Sequence, residues 1–373
     1  MRVCIIGAGN IGLAITAIIA KKDNVEVVLY TSKPILNNGA LQYINDEAHI
    51  DYSVNNFIVT DSFIDALKNT DIVLCTYPAF LRKQLVVSIS RYLKKGCKLG
   101  FVPGYGGAEF YCKELISSGI IIFGFQRVPY VARAQADKRI VRVLSEKQML
   151  FLASIPHQFT KEICKDIENL LDIPCMALNE YLAVTLVPSN PLLHTCGVYN
   201  IFRDYEAGKI YEEPYMFYDM WNDETSKILV KYDDELQLIC KRMSPLNLDE
   251  VISLQIYYES PNIEKITRKL KSIPSFKQVK SPMKKTSKGY VPDFNSRMFR
   301  EDFPFGVCII KSFALLTNTN TPIIDMLLKF YERMTGICYF NEDNSMGKDA
   351  KESGILFNFG LDTKEKVIEF YRI

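Results

Sequence analysis

Proton transfer near neutral pH calls first for an imidazole, and this 373-residue chain holds only three histidines, His49, His157 and His194. His49 lies in the polar stretch Asn45 to Asp51 and reads as a surface residue. His157 follows Ile155-Pro156 at the end of an apolar run, with nothing nearby that suggests a partner. His194 lies in Ser189-Asn190-Pro191-Leu192-Leu193-His194-Thr195-Cys196-Gly197, an apolar segment that suits a helix. A histidine in such a helix is more often a core residue than an acid or base, so residue type alone leaves both roles open. Read locally, Glu301-Asp302 suit a solvated helix start, where negative charge meets the positive end of the dipole.

A second chemistry is carried by glycine. Val3 to Ile6 is a short apolar run, followed by Gly7-Ala8-Gly9-Asn10-Ile11-Gly12 and an apolar stretch to Ala20 long enough for a helix. Strand, glycine turn and helix in this order are the context a pyrophosphate cradle requires. Gly7 permits the tight turn, Gly9 lets backbone approach the phosphates, and Gly12 lets the helix pack closely on the sheet. Gly7, Gly9, Asn10, Ile11 and Gly12 are therefore the expected dinucleotide-binding residues, with the helix N-terminus facing the negative charge. At the end of the second strand, where an Asp or Glu would hold the ribose 2′-hydroxyl of NAD, the chain reads Tyr30-Thr31-Ser32-Lys33. Two hydroxyls and an ammonium suit a 2′-phosphate, so NADP(H) is the expected cofactor in preference to NAD(H), held by Thr31, Ser32 and Lys33.

The elements that must position these residues alternate between strand and helix. Val25 to Tyr30, Ile58 and Val59, Ile72 to Thr76, Lys98 to Val102, Ile120 to Phe123, Val141 to Leu144 and Met149 to Ser154 read as strands, and Lys161 to Leu171 as a helix. This predicts an α/β fold whose N-terminal part is a Rossmann-type, doubly wound parallel sheet. From Asn179 the texture changes to long helix-compatible segments such as Glu224 to Arg242 and Thr321 to Met334, so a mainly α-helical C-terminal domain is expected over 179–373, after a dinucleotide-binding domain over 1–178. Lys277 to Gly289, rich in Lys, Ser and Pro, reads as a loop within the second domain.

Lys plus Arg at 45 against Asp plus Glu at 43 leaves no charge excess to favour nucleic acid or an anionic membrane, so the expected partner is a small molecule. The ten cysteines form no Cys-x-x-Cys pair and no Cys/His cluster at zinc spacing, which points to reduced thiols, no metal site and a cytoplasmic location. No uninterrupted apolar run is long enough for a transmembrane span.

Asn190 and His194, followed by Gly197 and Asn200, resemble the histidine segment of the opine dehydrogenases, the octopine and nopaline dehydrogenase family. Arg297-Met298-Phe299-Arg300-Glu301-Asp302-Phe303-Pro304-Phe305-Gly306 is similar to that family's Arg-x-x-x-Glu-Asp-x-Pro segment, and Thr321-Pro322-Ile323-Ile324-Asp325 resembles its Thr-Pro-x-x-Asp helix start. Gln126-Arg127-Val128-Pro129-Tyr130-Val131-Ala132-Arg133 resembles its Pro-Tyr-x-x-Arg stretch, and the matches fall in the family's order across most of the chain.

The resemblance implies NAD(P)H-dependent reduction of an imine formed between an amino acid and a 2-oxo acid, giving a secondary amine dicarboxylate. It carries a catalytic pair over to His194 and Asp302, and substrate binding to Arg297, as the carboxylate site, and to Asn190. Two other functions remain to be distinguished. A ketopantoate-type 2-oxo acid reductase shares the domain plan but should place a lysine early in the second domain, and none lies between Asn179 and Asn200. A catalytically silent, NADP-binding sensor or scaffold would keep the cradle and turn nothing over.

Overall fold

Val3, Cys4, Ile5 and Ile6 are wholly buried, as are Val73, Leu74 and Cys75. Runs apolar on both faces are what parallel strands covered by helices require. The computed structural model describes residues 1–32 and 40–373. The chain divides into two compact units, residues 1–185 with 370–373, and residues 186–369.

In the first unit the strands are β1 (Arg2–Ile6), β2 (Glu26–Tyr30), β3 (Leu41–Asn45), β4 (Ile50–Val54), β5 (Ile58–Thr60), β6 (Ile72–Cys75), β7 (Lys98–Phe101), β8 (Ile121–Phe125), β9 (Tyr130–Ala134), β10 (Ile140–Glu146), β11 (Leu150–Ile155) and β12 (Cys175–Ala177). The large sheet has the order β12-β11-β8-β7-β6-β1-β2-β5. Its six strands from β8 to β5 are parallel. They wind outward in both directions from the β1/β6 junction, the switch point at which open α/β sheets take their ligands. The helices are α1 (Asn10–Ile19), α2 (Phe63–Leu67), α3 (Ala79–Ile89), α4 (Lys113–Ser117), α5 (Thr160–Leu171) and α6 (Leu182–Thr185).

Two features depart from a purely parallel reading. β11 runs antiparallel to β8, with β12 parallel to β11. Residues 140–146 do not join the large sheet; they form a second sheet of order β4-β3-β10-β9. Leu41 and Tyr43 alternate with half-exposed neighbours along β3, so only one face is apolar. That face, with Ala132 and Val141, packs into the same core as Leu13, Ala14 and Ala17 of α1. The sheet thus covers the helix that follows the glycine turn.

Glu109 is a buried carboxylate of this unit. It accepts hydrogen bonds from the hydroxyls of Thr185 and Tyr371, the latter at 2.8 Å. Burial pushes its carboxyl up to about 7, a rise that these two donors and the charge of Arg82 only partly oppose. An acid whose folded-state pKa is raised is ionised more readily in the unfolded chain. Its contribution to stability is therefore fully present below about 4.5 and is lost as pH rises through about 7. Glu109→Gln should remove this loss: between pH 5 and pH 8 the melting temperature of the variant should gain on that of the parent. A difference that stays constant across that range, read by thermal denaturation, would count against it.

The second unit is mainly helical, with α7 (Asn190–Phe202), α8 (Asp223–Arg242), α9 (Leu254–Tyr257), α10 (Ile263–Ser272), α11 (Arg297–Arg300), α12 (Cys308–Leu316) and α13 (Pro322–Thr335); α14 (Lys364–Tyr371) closes the chain. Part of the segment read as a loop is instead a hairpin, β13 (Met283–Thr286) against β14 (Gly289–Pro292). Gly289 allows it by adopting a φ of +136°, and Tyr211 bridges to Tyr290 across it. Among the described residues no helix is long and apolar enough to cross a membrane.

Candidate functional site

The glycine turn lies at the carboxyl end of β1, where Gly7 N donates to Tyr30 O at 3.0 Å. Gly7 has a φ of +115°, and a Cβ there would stand 2.6 Å from Thr76 Oγ1 at the end of β6. At Gly12 a Cβ would lie 1.8 Å from the Gly7 carbonyl oxygen, so helix and turn meet as closely as backbone permits. Gly9 caps α1 with no side-chain hydrogen bond, and no acidic residue occupies the first turn. Nothing lies within 4 Å of where its Cβ would be. The positive end of a helix dipole thus faces open space at a position only glycine leaves clear, which fits a dinucleotide pyrophosphate.

The neighbouring residues divide. Asn10 Oδ1 accepts from Ala134 N at 3.0 Å, so this side chain ties the turn to β9, while Ile11 is half-buried on the core. Thr31 is buried, with its N–H on Thr60 O at 3.0 Å. Ser32 is exposed and its side chain hydrogen-bonds that of Tyr77. Lys33 lies outside the described residues. Asp61 follows the adjacent β5, and burial together with its charge pushes the Tyr30 phenol up.

In the second unit α7 opens with Pro191 in its first turn, a position where the missing N–H costs no helical bond. One turn later the Nδ1 of His194 lies 2.8 Å from Asp302 Oδ2, with the side chains 19% and 3% exposed. Residues 108 positions apart meet because a π-helical turn, Phe303–Val307, follows Asp302 and presses on the start of α7. A Cβ on Gly306 would stand 2.5 Å from Pro191 Cβ, so glycine permits that approach. Phe217 supports the imidazole from another side: its ring is edge-on to His194 at 6.0 Å and fills the space a Cβ on Gly197 would need. Phe217 belongs to no motif and could not be singled out from sequence.

Burial pushes the Asp302 carboxyl up, while the charge and hydrogen bond of His194 pull it back. Its second oxygen, Oδ1, has no hydrogen-bond partner among the described residues. A carboxylate so placed can fix the imidazole tautomer: Nδ1–H donates to Asp302, leaving Nε2 to exchange a proton.

Glu301 and Asp302 are both buried, so the solvated helix start that their local sequence suits is not what the fold makes of them. Glu301 Oε2 accepts from Arg297 Nε and Nη2 at 2.6 and 2.5 Å, and the side chains are 2% and 60% exposed. A buried anion thereby orients an exposed guanidinium. The i, i+4 spacing was the available signal for this pair. Asn190 is exposed at the start of α7, and Asn200 donates to Met220 O at 2.9 Å, holding the chain ahead of α8. His49 and His157 are exposed in the first unit, away from any such partner in their own turns.

The family described as NAD/NADP octopine/nopaline dehydrogenase, alpha-helical domain, matches residues 177–335. The tauropine dehydrogenase of Arabella iricolor is 24% identical over 98% of this chain and 99% of its own length. The octopine dehydrogenase of Mizuhopecten yessoensis is 21% identical over 99% and 98% respectively. A solved structure of octopine dehydrogenase with NADH and L-arginine superposes with a TM-score of 0.85 at 21% identity, covering 98% of this chain and 97% of that one.

Proposed function

Because this chain belongs to the octopine/nopaline dehydrogenase family and is an NAD(P)-dependent dehydrogenase, we propose that it condenses an amino acid with a 2-oxo acid and reduces the resulting imine to a secondary amine dicarboxylate, in the cytoplasm. The observation that carries this reading is the 2.8 Å contact between His194 and the buried Asp302. When bound, the reduced nicotinamide supplies the hydride. His194, its Nδ1 committed to Asp302, offers Nε2–H to the substrate oxygen as water leaves. Arg297, aimed by Glu301, takes the carboxylate next to the reacting carbon, with Asn190 on the same helix as the histidine.

The test supplies NADH and NADPH separately with a panel of 2-oxo acids and amino acids and follows loss of reduced cofactor. Oxidation should require both substrates together. Turnover with an oxo acid alone would instead identify a 2-oxo acid reductase, and cofactor binding without turnover a silent sensor. NADPH is the proposed preference, since β2 is followed by Thr31 and Ser32 with no carboxylate in place of either. A higher kcat/KM with NADH than with NADPH would overturn it.

Glu301→Gln tests the arginine's role. Without the buried anion the guanidinium loses its orientation, and KM for the oxo acid should rise roughly tenfold with kcat close to the parent's, as when uniform binding is removed. An unchanged KM in steady-state kinetics would detach Glu301 from substrate binding.

A further inference from the structure

We propose that Cys164 and Cys175 form a modification site, a dithiol that hydrogen peroxide converts to a reversible disulfide at the edge of the large sheet. Cys164 lies on α5 and Cys175 opens β12, the outermost strand. Their side chains hydrogen-bond to one another. Both line one open surface recess, together with Lys161, Lys165 and Met176. The short link between them is held at Asp172, which caps α5 at a φ of +57° and pairs with Lys22 at 2.7 Å. Two thiols that share one recess and a hydrogen bond are an arrangement from which a disulfide can form.

The other eight cysteines lack this combination. Cys164 is itself buried, but it shares the recess with a second thiol; of the other eight, seven are buried, and burial pushes thiols such as Cys4, Cys196 and Cys240 well up, which keeps them inert. Cys338 is partly exposed, but burial and the nearby Glu332 raise its thiol too. At Cys164 the hydrogen bond donated by Cys175 lowers the thiol below its usual range. Lys161 and Lys165 add positive charge to the recess and Glu168 negative charge.

The chemistry closes on the two thiols and one peroxide. The Cys164 thiolate attacks the peroxide, breaking the O–O bond, forming S–OH and releasing water once the leaving hydroxide takes a proton. The Cys175 sulfur then attacks the sulfenic sulfur; the S–S bond forms, the S–O bond breaks, and a second water leaves. Two thiols lose two electrons and two protons, and the peroxide is reduced to two waters. A dithiol reagent reverses the reaction by exchange.

The experiment treats the full chain with hydrogen peroxide, alkylates the remaining thiols and maps peptides without reduction. The expected product is a cross-linked peptide pair joining Cys164 to Cys175, lighter by two hydrogens and separated again by dithiothreitol. In Cys175→Ser, a change on an edge strand, dimedone should instead trap a sulfenic acid at Cys164. Phenylarsine oxide, which bridges paired thiols, should bind the parent once per chain and fail to bind this variant. Oxidation at Cys338 alone, or a parent in which Cys164 and Cys175 are both fully alkylated after peroxide, overturns the proposal.

Discussion

His194→Ala is expected to lower turnover by roughly a hundredfold or more while leaving cofactor affinity unchanged, the loss typical of removing a general acid. Asp302→Asn should cost a similar factor, because a neutral amide no longer supplies the negative charge that supports the imidazolium from which Nε2–H is given up. The double variant should be little slower than His194→Ala alone, since the two residues share one role. Stability separates the variants in the opposite sense. Burial raises the Asp302 carboxyl and His194 is the largest influence opposing that rise, so His194→Ala leaves a buried acid with its main compensation gone. Its folded-state pKa moves further above the unfolded value, and the stability it contributes is lost as pH rises through that higher pKa. As pH rises, the double variant should therefore gain in melting temperature relative to His194→Ala. Single-turnover kinetics and melting curves read the two effects separately. Additive rate losses, or a double variant that gains nothing in melting temperature on the single as pH rises, would dissolve the pair as a unit.

Gly9→Asp should weaken NADPH and NADH binding on the order of a hundredfold, since setting a carboxylate against a pyrophosphate costs about 3 kcal/mol. The fold should not suffer. The space around the Gly9 Cβ position is clear, and an aspartate at this N-cap supplies the hydrogen-bond acceptor the helix lacks. The melting temperature should hold or rise as affinity falls. Gly12→Ala is the contrast: its Cβ would lie 1.8 Å from the Gly7 carbonyl, so the turn must open and binding and stability should fall together. Titration calorimetry beside thermal denaturation decides the matter. A Gly9→Asp protein that binds either cofactor as tightly as the parent would remove the turn from the binding site.

What was legible in the chain followed how each element is buried. The strands of the parallel core are short apolar runs because helices cover both their faces, and the glycine spacing is legible because each glycine meets a local demand of turn or helix. β3, β4 and β9 were not read because their exposed faces carry residues such as Gln42, Asp51 and Arg133, which break the apolar run into loop-like pieces. The paired roles of His194 and Asp302 came only through resemblance to a family, since no local spacing links them.

By itself the sequence determined the strand, glycine turn and helix of the cradle, the change from alternating to helical texture along the chain, and the small set of residues able to do chemistry. Tertiary structure alone decided which of those residues meet and in what surroundings. Glu301-Asp302 has the same local sequence whether a helix start is solvated or buried; packing of the π-helical turn against Pro191, through Gly306, makes one carboxylate the partner of His194 and the other the support of Arg297. That contact depends on the path of the whole intervening chain, and desolvation, which sets the charge balance of the pair, exists only once the chain has closed around it.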